Sequence, residues 1–243
     1  MRILVGGPVV DTSAYYFKAS KHTIENQKTS ATVEISYIED TDTSEYSVDG
    51  ATHNWSAKSI NRVGALRQSF IDLAADGSYD ACMFVDTDLL LHPGTIDRLL
   101  RANAPIVFGV FWTKWPGQEH ALPQVWDRFP YGYWETTLED NSKINPTIEL
   151  LKLRQDIEVN GGGACTLIRK EAFNTKYSPP LQGMPWLGED RDFCTRAQSL
   201  GHKMMAVGSV DIIHLYDEAS RDEISVNDGL AKLGFDSTQI RCL

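Results

Sequence analysis

The sequence predicts an α/β fold, a single α/β/α sandwich around a mostly parallel central sheet. Three observations lead to it. Short apolar runs alternate with amphipathic helical stretches through about the first 110 residues, and that βαβα order calls for crossover connections, hence parallel strands covered by helices. The chain is 42% hydrophobic and 243 residues long, which suits one substantial core. Finally, "ACMFVDTDLLLHPG" (81–94) sets two aspartates directly after an apolar run, where open sheets of this class place ligands.

The elements follow in chain order. "RILVGGPVV" is a first strand, and Asp11, Thr12 and Ser13 offer N-caps for a helix over roughly 12–27. "ATVEISYIED" (31–40) alternates Val33, Ile35 and Tyr37 with polar neighbours and reads as a second strand. Residues 39–57, rich in Thr, Ser and Asp, form a long loop. Ile60, Val63, Leu66, Phe70, Leu73 and Ala74 then recur at helical spacing over 58–75, with Arg62 and Arg67 off the core stripe. "DACMFVD" is a strand, "GTIDRLLRAN" a short helix and "PIVFGVFW" another strand.

The second half is less regular. Residues 111–134 concentrate aromatics, and "QDIEVNGGGACTLIRKEAF" holds two strand-like pieces around a triple glycine. "GEDRDFCTRAQSLGHK" reads as a helix with Phe193, Ala197 and Leu200 inward and Gly201 as its stop. "KMMAVGSVDIIHLYD" has strand character, and 217–243 reads as a polar tail or docking segment. Residues 1–216 are expected to form the domain, about 1–110 as a first half and 111–216 as a second.

Composition narrows the function. A net charge of −10 with scattered Lys and Arg argues against a broad phosphate-binding surface. An anionic ligand must therefore be met locally, by a metal or a few placed donors. No window approaches the roughly 18–20 apolar residues of a membrane span, and "MRILVGGPVVDTS" reads as a strand rather than a signal peptide. Cys82, Cys165, Cys194 and Cys242 form no C-x-x-C pair, so buried free thiols and a reducing, cytoplasmic setting are expected.

Three groups of residues carry candidate chemistry. On a strand, residues i and i+2 share a face, so Asp86 and Asp88 of "DTD" converge and call for a cation, with Mg²⁺ or Mn²⁺ suited to oxygen ligands. An isolated D-x-D also fits a turn in which one Asp caps the next helix; the apolar run before it favours the cation. Glu189, Asp190 and Asp192 at a helix start complement the helix dipole, or supply a carboxylate that stays ionised and accepts a proton. His214 in "VDIIHLYD" is either a satisfied strand-end histidine or a nitrogen ligand to a metal, which Mn²⁺ tolerates better than Mg²⁺.

Taken together, "VDTDLLLHPGTIDRLL", "GGGACTLIRKEAF", "GEDRDFCTRAQSLGHK" and "IIHLYD" resemble in order the glycosyltransferases of the GT-A fold, especially the family 2-like enzymes. The resemblance spans roughly residues 1–216 and is sharp at these four motifs. It implies a Rossmann-like sandwich with a smaller acceptor-side β portion, a nucleotide-sugar-binding first half and an acceptor and catalytic second half. It implies a Mn²⁺ (or Mg²⁺) cofactor held by Asp88, His214 and Asp86, with Asp86 also near the donor's ribose. It implies Asp190 as catalytic base of an inverting transfer, beside Glu189 and Asp192. Donor-binding positions would be Pro8, Asp40, Arg62, Asp86, Thr87 and Gly162. Trp186, just before the proposed base, and Trp112 are acceptor-stacking candidates. The implied partners are a nucleotide-sugar donor, UDP-linked by preference, and an acceptor hydroxyl of unknown identity.

The chain departs from the family pattern after strand one, where it reads Gly6-Gly7-Pro8-Val9-Val10-Asp11, and it lacks the Q-x-x-R-W signature of processive synthases; single-sugar addition is expected. Rival readings are a nucleotidyltransferase, which would want a Gly-rich basic loop after strand one, and a non-catalytic GT-A domain that binds sugar nucleotides. A haloacid-dehalogenase-type phosphatase would need its aspartates after the first strand.

Overall fold

The β-branched and small residues of "RILVGGPV" form an interior strand of the sheet, next to its edge strand and buried along most of its length. The computed structural model describes residues 1–42, 48–49, 52–53, 56–114, 118–126, 146–179 and 188–242. Its first half runs β1 (Arg2–Val9), α1 (Tyr15–Glu25), β2 (Thr32–Glu39), the short β3 (Val48–Asp49) and β4 (Thr52–His53), α2 (Ala57–Asp76), β5 (Ala81–Val85), β6 (Leu89–Leu91), α3 (Thr95–Arg101) and β7 (Ile106–Gly109). Then come β8 (Trp112–Thr113), β9 (Leu122–Pro123), β10 (Val125–Trp126), α4 (Pro146–Lys152), β11 (Asp156–Glu158), β12 (Gly161–Gly162) and β13 (Cys165–Arg169). The chain continues through α5 (Glu189–Ser199), β14 (Met204–Val207), β15 (Ile212–His214) and α6 (Glu223–Lys232).

Seven strands make the main sheet, in the order β11-β14-β7-β13-β5-β1-β2. β1 is parallel to β2 and β5, and β7 to β14, while β13 lies antiparallel between β5 and β7 and β11 is antiparallel at the edge. The expected mostly parallel α/β/α architecture is the one observed, with one strand of opposite direction inserted at its centre. That insertion has a consequence for the site. β13 begins where β5 ends, with Cys165 opposite Val85 and the Asp86 amide donating to the Ala164 carbonyl at 2.8 Å, so the triple glycine arrives beside the D-x-D.

Alternation along β5 divides the core. Cys82 and Phe84 pack with Phe70, Ile71 and Ala74 of α2 and Phe193 and Ala197 of α5. Ala81, Met83 and Val85 face the other layer with Ile24, Ile96 and Leu99 of α1 and α3. Each such fully buried large side chain contributes about 1.5–3 kcal/mol. α2 starts at a capping box in which Ser56 and Ser59 bond reciprocally. α5 stops before Gly201, at φ +77°, but Leu200 is half-exposed rather than inward as expected.

α1 begins later than expected. Its N-cap is Ala14 without a side-chain bond, because the Ser13 amide and hydroxyl both donate to Asp11 (2.8 and 2.6 Å) and spend the capping groups on a turn before the helix. The segment 217–243 carries α6, whose Val226 and Leu230 pack with Ala19, Leu90 and Leu215. Cys82, Cys165 and Cys194 are buried free thiols. Among the described residues no helix is long and apolar enough to cross a membrane.

Gly6 is the glycine the sheet depends on most. It lies at φ +145°, and an added Cβ would stand 1.8 Å from the Ser36 carbonyl oxygen of β2. Backbone there has little room to yield, so Gly6→Ala is expected to destabilise the fold by about 1–3 kcal/mol, read as a lowered midpoint in denaturant unfolding.

Candidate active site

The site is built where β1 and β5 end and α2 and α5 meet them. One cleft of about 170 Å³ is lined by Pro8, Val10, Asp11, Tyr16, Asp40, Val63, Arg67, Asp86, Thr87, Asp88, Glu189, Asp190 and Arg221. It thus gathers Pro8, Asp40, Asp86, Thr87, Asp88, Glu189 and Asp190 from segments spread over nearly two hundred positions. Arg62, Gly162, Asp192, Trp112 and His214 are not among the lining residues, and Trp186 lies outside the described residues.

Asp86 and Asp88 do not share a strand face. β5 ends at Val85, and a turn closed by the Leu89 amide on the Asp86 carbonyl (3.1 Å) carries both aspartates. The turn splays them toward different partners. Asp86 accepts from Arg67 Nη2 at 3.0 Å, whereas Asp88 Oδ2 accepts from Arg221 Nη2 at 2.9 Å and stands 3.5 Å from His214 Nε2. Pairing of β15 with β6 sets His214 opposite Leu89, which explains how a residue so distant in sequence reaches Asp88. The other imidazole nitrogen, Nδ1, is 2.7 Å from the buried Thr113 hydroxyl, a contact that orients the ring.

Arg67 is the organising cation. Its side chain is 5% exposed, and its guanidinium lies over the rings of Phe84 and Tyr177 (5.3 and 5.7 Å). Besides Asp86 it reaches Asp190 Oδ1 at 3.2 Å and Glu189 Oε1 at 3.5 Å, near enough for charge pairing without the alignment of hydrogen bonds. Reading Arg67 as lying off the α2 core stripe was therefore wrong. It occupies the apolar row Val63–Arg67–Phe70–Ala74, and three carboxylates take up its charge.

Electrostatics follow from this crowding. Burial, with Asp88 and Asp190 nearby and Arg67 opposing, pushes the Asp86 carboxyl up to about 6, although 41% of its side-chain surface stays open. That open surface belongs to the floor of a cleft, where protein rather than bulk water surrounds the group. Burial likewise raises Glu189 and Asp190, which stand together; Arg67 lowers both, and a hydrogen bond from the Tyr177 hydroxyl lowers Asp190. Desolvation thus opposes the ionisation that the helix N-terminus is expected to favour in both groups. Asp88 behaves oppositely: burial would raise it, but His214 and Arg221 hold it below the ordinary range.

A carboxyl whose folded value is raised costs the fold stability as pH climbs from its unfolded value to its folded one, because the unfolded chain gives up the proton first. Glu189→Gln removes the ionisation while keeping shape. In chelator, the melting temperature of Glu189→Gln relative to the parent protein is expected to rise between pH 5 and pH 8; a constant difference would remove Glu189 as the raised group.

The remaining expected residues have other surroundings. Arg62 donates to Asp40 at 2.9 Å and lies 3.3 Å from Asp42, behind the cleft. Asp192 is buried. Trp112 packs on the core, as does Trp126, whose ring lies 4.6 Å beneath the Arg191 guanidinium. A Cβ on Gly162 would meet the Phe108 ring at 2.6 Å, but one on Gly163 would meet Asp190 Oδ2 at 2.2 Å. Gly163, rather than Gly162, is the glycine that makes room for the Asp190 carboxylate. Asp190 Oδ1 is buried without a hydrogen bond among the described residues, an unmet acceptor on a residue that lines the cleft.

Six acids and two arginines line the cleft, so its charge is net negative and repels a diphosphate unless a cation joins them. The donor set for a hard divalent ion is at hand in Asp88 and Asp86, with the His214 imidazole at Asp88. Among the described residues no three His, Cys, Asp or Glu side chains are grouped so as to hold a metal ion by themselves.

No family model and no curated protein matches the chain. Its fold is similar to the catalytic domain of Drosophila β1,4-galactosyltransferase 7 in complex with xylobiose, at 15% identity and a TM-score of 0.50 over 91% of this chain and 73% of that one. A mutant of the same galactosyltransferase, in complex with manganese, UDP-Gal and xylobiose, matches at 16% identity with the same TM-score and coverage. The likeness establishes the GT-A architecture, and the chemistry rests on the cleft itself.

Proposed function

We propose that this chain is a metal-dependent glycosyltransferase that moves a single sugar from a nucleotide-diphosphate sugar, UDP-linked by preference, to an acceptor hydroxyl with inversion. One observation carries the reading. The D-x-D turn at the end of β5 and the Glu189–Asp190 pair at the start of α5 meet in one acidic cleft, bridged by Arg67. A structural neighbour with this architecture, the galactosyltransferase 7 mutant, is in complex with manganese and UDP-Gal, which supports the same ligand class here.

Asp88, with His214 oriented by Thr113, and Asp86 across the turn would hold Mn²⁺ on the donor diphosphate. When bound, that ion neutralises the charge that grows on the leaving group. The chain's own groups do the rest. Asp190 accepts the proton of the attacking hydroxyl, and its raised affinity for protons brings it toward the working pH of a general base. Gly163 leaves the space in which that carboxylate stands. Arg67 keeps Asp86, Glu189 and Asp190 together without reaching neutrality, so the cleft retains its demand for a cation. Pro8, Asp40 and Thr87 line the same cleft on the donor side, and Arg62 fixes Asp40 from behind.

A thermal-shift panel of nucleotide sugars tests this. With Mn²⁺, a UDP-sugar at about a hundred times its Kd is expected to raise the melting temperature by about 5–10 °C, and neither component alone does so. Equal stabilisation by UDP-sugar with and without Mn²⁺ contradicts the metal-dependent reading.

A further inference from the structure

Arg221 stands where no sequence pattern places a functional residue. Its Nη2 donates to Asp88 Oδ2 at 2.9 Å, the oxygen that His214 Nε2 approaches at 3.5 Å. Its Nε donates to the Leu215 carbonyl at 2.7 Å, and its guanidinium lies 5.2 Å from the centre of the Tyr16 ring, which also lines the cleft. Both ends of its segment are anchored. Leu215 is buried and its amide donates to the Asp88 carbonyl at 2.9 Å, while Asp222 caps α6, which is packed through Val226 and Leu230.

Two cations held on one carboxylate repel each other at close range. A metal ion that takes Asp88 Oδ2 therefore competes with the Arg221 guanidinium for that oxygen. The other arginine of the cleft, Arg67, is already spread over three carboxylates, whereas among the described residues Arg221 pairs with Asp88 alone, the carboxylate a metal would compete for.

We propose that Arg221 is the resident counter-cation of Asp88, yielding that oxygen to the divalent ion and turning its guanidinium, tethered at the Leu215 carbonyl, onto the donor diphosphate. Arg221 thereby opposes metal binding in the empty cleft and favours the nucleotide once the metal is in place, coupling the two ligands. This deepens the glycosyltransferase reading and rests on it.

The test uses the full chain, Mn²⁺ and UDP. Free Mn²⁺ is followed by electron paramagnetic resonance, and UDP binding is followed by calorimetry at saturating Mn²⁺. Arg221→Gln is expected to bind Mn²⁺ on the order of tenfold tighter than the parent protein without nucleotide, and UDP on the order of tenfold weaker with Mn²⁺ present. Arg221→Lys, the second variant should Gln disturb folding, keeps the charge but loses the planar fork; it is expected to weaken UDP less and to bind Mn²⁺ between the other two. Unchanged affinities for both ligands in either folded variant overturn the role of Arg221 alone. A parent protein that binds neither Mn²⁺ nor UDP overturns the reading of the site together with it.

Discussion

Asp190→Asn is expected to lower kcat for sugar transfer by about 10²–10⁴-fold, the usual worth of a positioned general base, while UDP and Mn²⁺ still bind. The carboxylate sits in the space that Gly163 leaves and keeps one oxygen unbonded among the described residues. Asn preserves the shape and removes the proton acceptor, so the loss falls on the chemical step rather than on binding. Steady-state kinetics with calorimetry of UDP separates the two. A variant with full turnover would falsify the assignment of Asp190, and one that loses UDP binding as well would move the residue from proton transfer to donor contact.

Arg67→Met is expected to destabilise the protein by about 3–5 kcal/mol, because it leaves three crowded carboxylates facing one another without their buried partner. The substitution fills similar volume against Phe84 and Tyr177, so the effect comes from charge. Two further variants identify the cause. Glu189→Gln placed on Arg67→Met removes one of the stranded charges and is expected to restore part of the stability, a coupling that a pure packing defect would not show. Arg67→Lys keeps the charge but engages fewer oxygens, and falls between. Denaturant unfolding at constant pH reads these four proteins together with Glu189→Gln alone, which closes the cycle.

How much of this was legible beforehand varies with the physical signal. β5 and its two aspartates were clear, because an apolar run that ends in charge needs an explanation wherever it folds. α2 was clear from its periodicity, yet Arg67 was misjudged. Its position in the Val63–Arg67–Phe70–Ala74 row was visible, and a charge on an apolar row signals a buried partner cluster. The antiparallel insertion of β13 was not legible, since a short apolar run reads the same in either direction. The splaying of Asp86 and Asp88 depends on a turn that alternation alone does not reveal. Arg221 gave no local signal, for its place depends on β15 pairing with β6 and on α6 packing behind it, both tertiary outcomes.

Release of nucleoside diphosphate from UDP-sugars, compared with and without Mn²⁺, reports most directly on the proposed chemistry. Sugar transfer, or slow transfer to water, is expected to yield UDP in the presence of Mn²⁺ and to stop on chelation. Release that ignores chelation, or pyrophosphate formed from nucleoside triphosphate and sugar phosphate in place of UDP, would contradict it and return the cleft to a different class of enzyme.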